Sequence, residues 1–137
     1  MDGQPVFVET DVAGGMPAFS MVGLPDAAVR ESRDRVMGAL RNSGYALPIG
    51  RVTVNLSPAD IRKEGAVFDL PIAVSIIGAS RQAAMPRLDK TLLLGELSLD
   101  GSLLPVRGVL SMVISALQQG IDQIILPYEN APEVQSI

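Results

Sequence analysis

AFSMVGLPDAAVRESRDRVMGALRNSGYALPIGRVTVNL, residues 18–56, is the stretch whose reading decides the fold. It reads as strand, helix, strand. Ala18 to Val22 is a short strand. Gly23-Leu24-Pro25-Asp26 then switches the chain into a helix, with proline in the first turn, where it is tolerated. Asp26 and Glu31 lie toward the positive end of that helix. Val29, Val36, Met37 and Leu40 recur near helical spacing, with Arg30, Arg33, Asp34 and Arg41 on other faces. Asn42-Ser43-Gly44 supplies a stop. Arg51 to Leu56 alternates Val52, Val54 and Leu56 with Thr53 and Asn55, the pattern of a strand with one buried face.

On the N-terminal side, Pro5 to Val12 alternates loosely and reads as a strand. Gly14-Gly15 with Pro17 is a turn, so this strand and Ala18–Val22 are expected to pair as a hairpin. On the C-terminal side, Ser57-Pro58-Ala59-Asp60 turns away, and Ile61 to Val67 is a charged loop. A second helix is expected from Asp69 to Arg81, with Asp69 as its N-cap and Pro71 early in it. Ile72, Ala73, Ile76 and Ile77 share a face, and the scarcity of charge predicts burial on more than one side. Thr91–Leu94, Glu96–Leu99 and Leu103–Val106 are strand candidates, with a tight turn at Asp100-Gly101. A third helix is expected from Gly108 to Gln119, stopping at Gly120, then a buried strand at Ile124–Leu126 and the start of a helix after Glu129. Strands and helices intermix with hairpins present. The expectation is an α+β fold: one mixed sheet with helices packed on it.

With 137 residues and no linker or internal repeat, the chain is expected to form a single domain over residues 1–137. At that length roughly two-thirds of the unfolded surface can be buried. The composition is 47% hydrophobic. No window reaches the ~18 apolar residues of a membrane helix, so no membrane partner is expected. The net charge of −4 argues against this segment gripping a phosphate backbone. There are no cysteines and no histidines, which removes disulfides, Cys/His zinc sites and Ser-His-Asp triads together. No secretory signal is visible at the start, so a cytoplasmic location is expected.

Gly14-Gly15 is followed by Met16-Pro17 and not by a helix N-terminus, so it does not make a phosphate-wrapping loop. No GxxxxGK[ST] occurs. Asp60, Glu64 and Asp69 cluster around Arg62 and Lys63, and basic neighbours oppose a cation site there. Without histidine, Ser57, Ser75, Ser98, Ser102 or Ser111 would need a lysine base. Only Lys63 and Lys90 are available, neither in an apolar context that lowers a lysine pKa. The candidate interaction surface is Arg30, Arg33 and Arg35 on the first helix, with Asp60, Lys63 and Glu64 in the loop. Glu31 and Asp34 interleave with those arginines, so self-pairing is the competing reading.

The strings Ser20-Met21-Val22-Gly23-Leu24-Pro25-Asp26 through Val36, Thr53-Val54-Asn55-Leu56-Ser57-Pro58-Ala59-Asp60, and Lys63-Glu64-Gly65 with Phe68-Asp69-Leu70-Pro71 resemble the N-terminal domain of the ComM/YifB family. These are magnesium-chelatase-like bacterial AAA+ ATPases. The resemblance implies a Lon-protease-like fold of the ribosomal protein S5 domain 2 type. It also implies that the chain is trimmed at both ends, lacking a first strand and a closing segment. It implies a hexameric parent with an AAA+ motor that holds ATP and Mg, is linked to DNA branch migration and natural transformation, and has its own motor and neighbouring subunits as partners of this domain. Gly95–Gly101 and Leu104–Leu110 look like the Lon segment that ends in a catalytic lysine, and that position falls on Leu110. The serine-bearing segment falls near Phe68. The resemblance thus implies a Lon-like domain without its dyad and without a cofactor in this segment. Two other classes stay open on the residues: a Ser-Lys peptidase using Ser57 or Lys63, and a direct DNA-binding module.

Overall fold

The computed structural model describes residues 5–58, 63 and 65–135. The first three strands are β1 (Phe7–Ala13), β2 (Ala18–Val22) and β3 (Arg51–Ser57), with helix α1 (Asp26–Asn42) between β2 and β3. They form a mixed sheet of order β1-β3-β2. β1 runs antiparallel to β3 from Phe7 opposite Ser57 to Ala13 opposite Arg51. β2 runs parallel to β3 from Ala18 opposite Arg51 to Val22 opposite Asn55.

The expected hairpin of β1 with β2 is therefore corrected: β3 lies between them. Arg51 is registered against both Ala13 and Ala18, so residues 14–17 pass around the end of β3. Gly50 makes this possible. A Cβ built there would sit 2.0 Å from the Ala13 carbonyl oxygen, a separation no side chain tolerates. The turn residues Gly14-Gly15 are real. What they connect is one strand beyond nearest-neighbour reach, a spacing of roughly 10 Å instead of 5 Å.

Val52, Val54 and Leu56 of β3 are buried on one face, and Arg51 and Thr53 lie exposed on the other. The buried face meets Val36, Ala39 and Leu40 of α1 and Ile72, Ile76 and Ile77 of α2 (Asp69–Ala79). α2 packs against both β1 and α1. That double contact explains its lack of charge: it is wrapped on more than one side, as expected. Fully burying an isoleucine such as Ile72 or Ile76 contributes about 1.5–3 kcal/mol. α1 begins after Pro25 and carries Asp26 in its first turn and Arg41 in its last, each matching the helix dipole. It closes where the Tyr45 amide donates to the Leu40 carbonyl at 3.0 Å.

The second half is built of smaller pieces. β4 (Thr91–Leu93) pairs in parallel with β7 (Gln123–Ile125), and β5 (Glu96–Leu97) pairs antiparallel with β6 (Leu103–Leu104). α3 (Val109–Gln118) and α4 (Ala131–Val134) complete the order. β5 and β6 are shorter than their apolar runs suggest, because Ser98 to Ser102 belong to the turn. Asp100 Oδ1 accepts from the Ser98 hydroxyl at 2.5 Å and from the Ser102 amide at 2.9 Å. The closing strand is less buried than expected: Gln123 and Ile125 are exposed, since β7 has β4 on one side only among the described residues. Strands of both pairings, with helices on them, make this an α+β architecture. No helix among the described residues is long and apolar enough to cross a membrane.

Candidate functional site

Asp69 is the first residue of α2 and is completely buried. A lone buried carboxylate is costly unless its oxygens are filled. Here both are. The Ser32 hydroxyl donates to Oδ1 at 3.0 Å. Arg35 grips both oxygens, Nε to Oδ2 at 2.5 Å and Nη2 to Oδ1 at 3.1 Å. The Leu97 amide donates to Oδ2 at 3.1 Å. One carboxylate thus ties α1, α2 and β5 together. The hydrogen bond to Asp69 raises the Arg35 pKa above its ordinary value, against the opposing effect of burial.

This arrangement corrects two sequence expectations. Asp69 makes no cap hydrogen bond to its own helix. Asp69 is the first helical residue, with Phe68 at the cap position, and its side chain turns into the core, where the Arg35 guanidinium grips both oxygens in a charge-assisted pair. Arg35, expected on the interaction surface, is instead drawn inward, with only 21% of its side chain exposed. Arg30 and Arg33 do face outward, and Arg33 Nε lies 3.5 Å from Asp34 Oδ1, the self-pairing that interleaved charges predicted. Lys63 is half-buried, while Asp60 and Glu64 lie outside the described residues.

The backbone beside Asp69 is fixed with equal care. The Gly95 amide donates to the Val67 carbonyl at 3.0 Å, and the Leu70 amide donates to the Gly95 carbonyl at 3.1 Å. Gly95 has φ +153°, and a Cβ there would lie 2.3 Å from Leu103 Cδ1. Phe68, beside this junction, is buried in the core. Leu110 sits in the first turn of α3 and is 41% exposed. The hydroxyl of Ser75 bonds the Ile72 carbonyl and Thr10, and that of Ser111 bonds the Gly108 carbonyl. Ser98 serves the Asp100 turn. Among the described residues no group of three acidic side chains converges as a cation site would require.

A second polar residue escaped the sequence reading. Asn130 is buried and mimics a strand: its Oδ1 accepts from the Val106 amide at 3.0 Å, and its Nδ2 donates to the Val106 carbonyl at 2.9 Å. An asparagine in a polar segment carries no sequence signal for this. Ser32 and Arg35 did carry one. Their spacing of three puts both on one helix turn, where they can share an acceptor.

A cavity of about 630 Å³ runs between β1 and β4, with α2 and α3 behind it. Its lining is apolar apart from Glu9, Asp89 and a few hydroxyls.

Comparison with known proteins places these features in a family. The model for subunit ChlI of Mg-chelatase matches residues 8–130. The protein YifB of Escherichia coli is 45% identical over 130 residues, 95% of this chain and 26% of YifB. The competence protein ComM of Haemophilus influenzae is 41% identical over 132 residues, 96% of this chain and 26% of ComM. The similarity to a Lon protease of Salinispora arenicola is weaker, 23% over 142 residues, covering 98% of this chain and 18% of the protease. The chain spans about a quarter of the length of YifB and ComM.

Proposed function

The chain belongs to the family of subunit ChlI of Mg-chelatase, and from that footing we propose that it is the accessory, non-catalytic domain of a ComM/YifB-type AAA+ ATPase. Its fold in this reading is the Lon-like, ribosomal protein S5 domain 2 type. The parent is a hexameric motor whose ATP and Mg lie in its AAA+ part, which moves branched DNA in the cytoplasm and serves natural transformation. The domain's partners are its own motor and the neighbouring subunits.

The observation that carries this reading is the use made of the junction where a Lon-type serine would stand. Phe68 is spent on the core and Asp69 on joining α1, α2 and β5. The lysine position is the apolar Leu110 on α3. The match to a Lon protease across 98% of this chain, at much lower identity than to ComM, agrees with a shared scaffold and a divergent purpose. α3 adds a face suited to assembly: Leu110, Ile114 and Leu117 are exposed at helical spacing, and the helix has no charged residue.

The test is a chimera in which residues 8–130 replace the matching part of H. influenzae ComM. The reading expects ring assembly and ATP hydrolysis to survive the exchange and assembly to fail when the segment is deleted. A deletion that assembles and hydrolyses ATP like the intact protein would remove the accessory role.

A further inference from the structure

All 15 acids of the chain lie outside residues 12–25, 36–59 and 70–88. Those stretches carry Arg41, Arg51, Arg81 and Arg87, so the net charge of −4 conceals a segregation. The fold brings Arg41, Arg51 and Arg81 to one end of the first sheet, where β1 finishes and β2 and β3 begin. Arg51 is registered against Ala13 and Ala18, and a Cβ at Gly15 would lie 3.7 Å from Arg51 Cδ, so its stem runs beside the turn. Arg41 is in the last turn of α1. The chain leaving α1 meets the chain leaving α2 through Gln82. The Ala46 amide donates to Gln82 Oε1 at 2.8 Å, and Gln82 Nε2 donates to the Ala46 carbonyl at 2.8 Å. Arg81 adjoins that clasp. All three arginines are exposed. Arg87 is paired with Asp122, whereas Arg41, Arg51 and Arg81 enter no ion pair among the described residues. Two acids border this end: Asp11 on β1, and Asp100 beside Gly101, which packs on Ser43. Neither is within ion-pair reach of the three arginines.

We infer that this end of the domain holds the phosphate backbone of duplex DNA, with Arg41, Arg51 and Arg81 each meeting a phosphate. A cation in a helix's last turn also matches the dipole, which accounts for Arg41 alone. Arg51 opens a strand. Arg81 stands where the other two long helices place glycine: Gly44 after α1 has φ +89° and Gly120 after α3 has φ +87°, while Arg81 after α2 has φ +61°. Glycine adopts that left-handed conformation without strain and arginine does not, so the backbone gives no reason for an arginine there. The three come from three different elements, so a single carboxylate does not serve them all. A duplex offers a row of phosphates, and the guanidinium fork suits each of them. The acidic remainder of the surface confines the contact to this end. The inference deepens the proposed function and rests on it for the choice of DNA.

The probe is a fluorescein-labelled DNA duplex of about 20 base pairs, titrated with the full chain and followed by anisotropy. Three phosphate contacts give a slope of log affinity against log salt of about −2.7, so affinity should fall about fortyfold between 50 and 200 mM salt. Arg41→Gln, Arg51→Gln and Arg81→Gln should each reduce that slope by about 0.9, and the triple variant should abolish binding. Arg81→Gly separates binding from folding: glycine suits the backbone there, so the urea midpoint should hold or rise while the slope falls as for Arg81→Gln. Arg107→Gln, exposed in the second half of the chain, should bind like the parent chain. Poly-glutamate should displace the duplex poorly. Absence of binding at low salt, a salt slope that the three substitutions leave unchanged, an equal loss with Arg107→Gln, or ready displacement by poly-glutamate would each overturn the inference. None of these results touches the accessory reading, which the ComM chimera tests through assembly and ATP hydrolysis.

Discussion

Arg35 Nε sits 2.5 Å from Asp69 Oδ2, so a side chain from the middle of α1 anchors the first residue of α2 through a carboxylate that solvent does not reach. Breaking such a pair from one side leaves a buried charge without its partner. Asp69→Ala strands the Arg35 guanidinium and frees the Ser32 hydroxyl and Leu97 amide. Its expected cost is about 3–5 kcal/mol, read as a lower urea midpoint at unchanged slope. Replacing both partners together, Arg35→Met with Asp69→Leu, should recover most of that loss. A double variant no more stable than Asp69→Ala would show that the pair is not the source of the effect.

Gly50 should be irreplaceable for a steric reason. Gly50→Ala puts a methyl 2.0 Å from the Ala13 carbonyl oxygen, which forces β3 away from the connection between β1 and β2. Overpacking of this sort costs about 1–3 kcal/mol. Gly14→Ala, with nothing near its Cβ position, should move the urea midpoint far less. Equal effects would contradict the threading of β3 between its neighbours.

The β5–β6 turn should loosen in acid. Hydrogen bonds from Ser98 and Ser102 hold the Asp100 carboxyl down at about 2, below its ordinary 3.8. A depressed folded pKa means the ionised form is the one the turn stabilises. Its contribution is therefore intact above about pH 4 and is lost as pH falls from there through 2. NMR titration of the Ser98 and Ser102 amides should follow that window, and Asp100→Asn should remove the transition. A midpoint near 4 would mean the hydrogen bonds do not act on the charge.

The exposed stripe on α3 gives a contrast between stability and assembly. Ile114→Glu changes a residue that is 40% exposed, so the chain alone should keep its stability within about 0.5 kcal/mol. In the ComM chimera the same change is expected to weaken ring formation, measured by mass photometry. A large loss of stability in the isolated chain would show that Ile114 belongs to the core.

How much of this was legible in the sequence depended on how local the cause was. The alternation of Val52, Val54 and Leu56 announced β3, and the spacing of Val36 and Leu40 announced α1, because strand and helix periods are written in consecutive residues. Strand order was not legible. It depends on Gly50 meeting Ala13, 37 positions earlier in the chain, and no short window contains both. Asp69 misled for a different reason. An acid at a helix start looks the same whether it caps its own amides or reaches for another helix, and only the arrival of Ser32 and Arg35 decides. Asn130 gave no hint, since its partner Val106 is defined by tertiary packing alone. For the candidate site, the absence of histidine and cysteine was readable at once, while the inward turn of Arg35 and the groove beside β1 required coordinates.

The most direct test of a non-catalytic domain is turnover by the folded chain itself. Its cooperative unfolding in urea establishes that it is folded, and the same sample is then given ATP and a fluorogenic peptide. The account predicts rates indistinguishable from buffer for both. Peptide cleavage above buffer that Lys63→Ala or Ser57→Ala abolishes would contradict it and establish a Ser-Lys peptidase in its place.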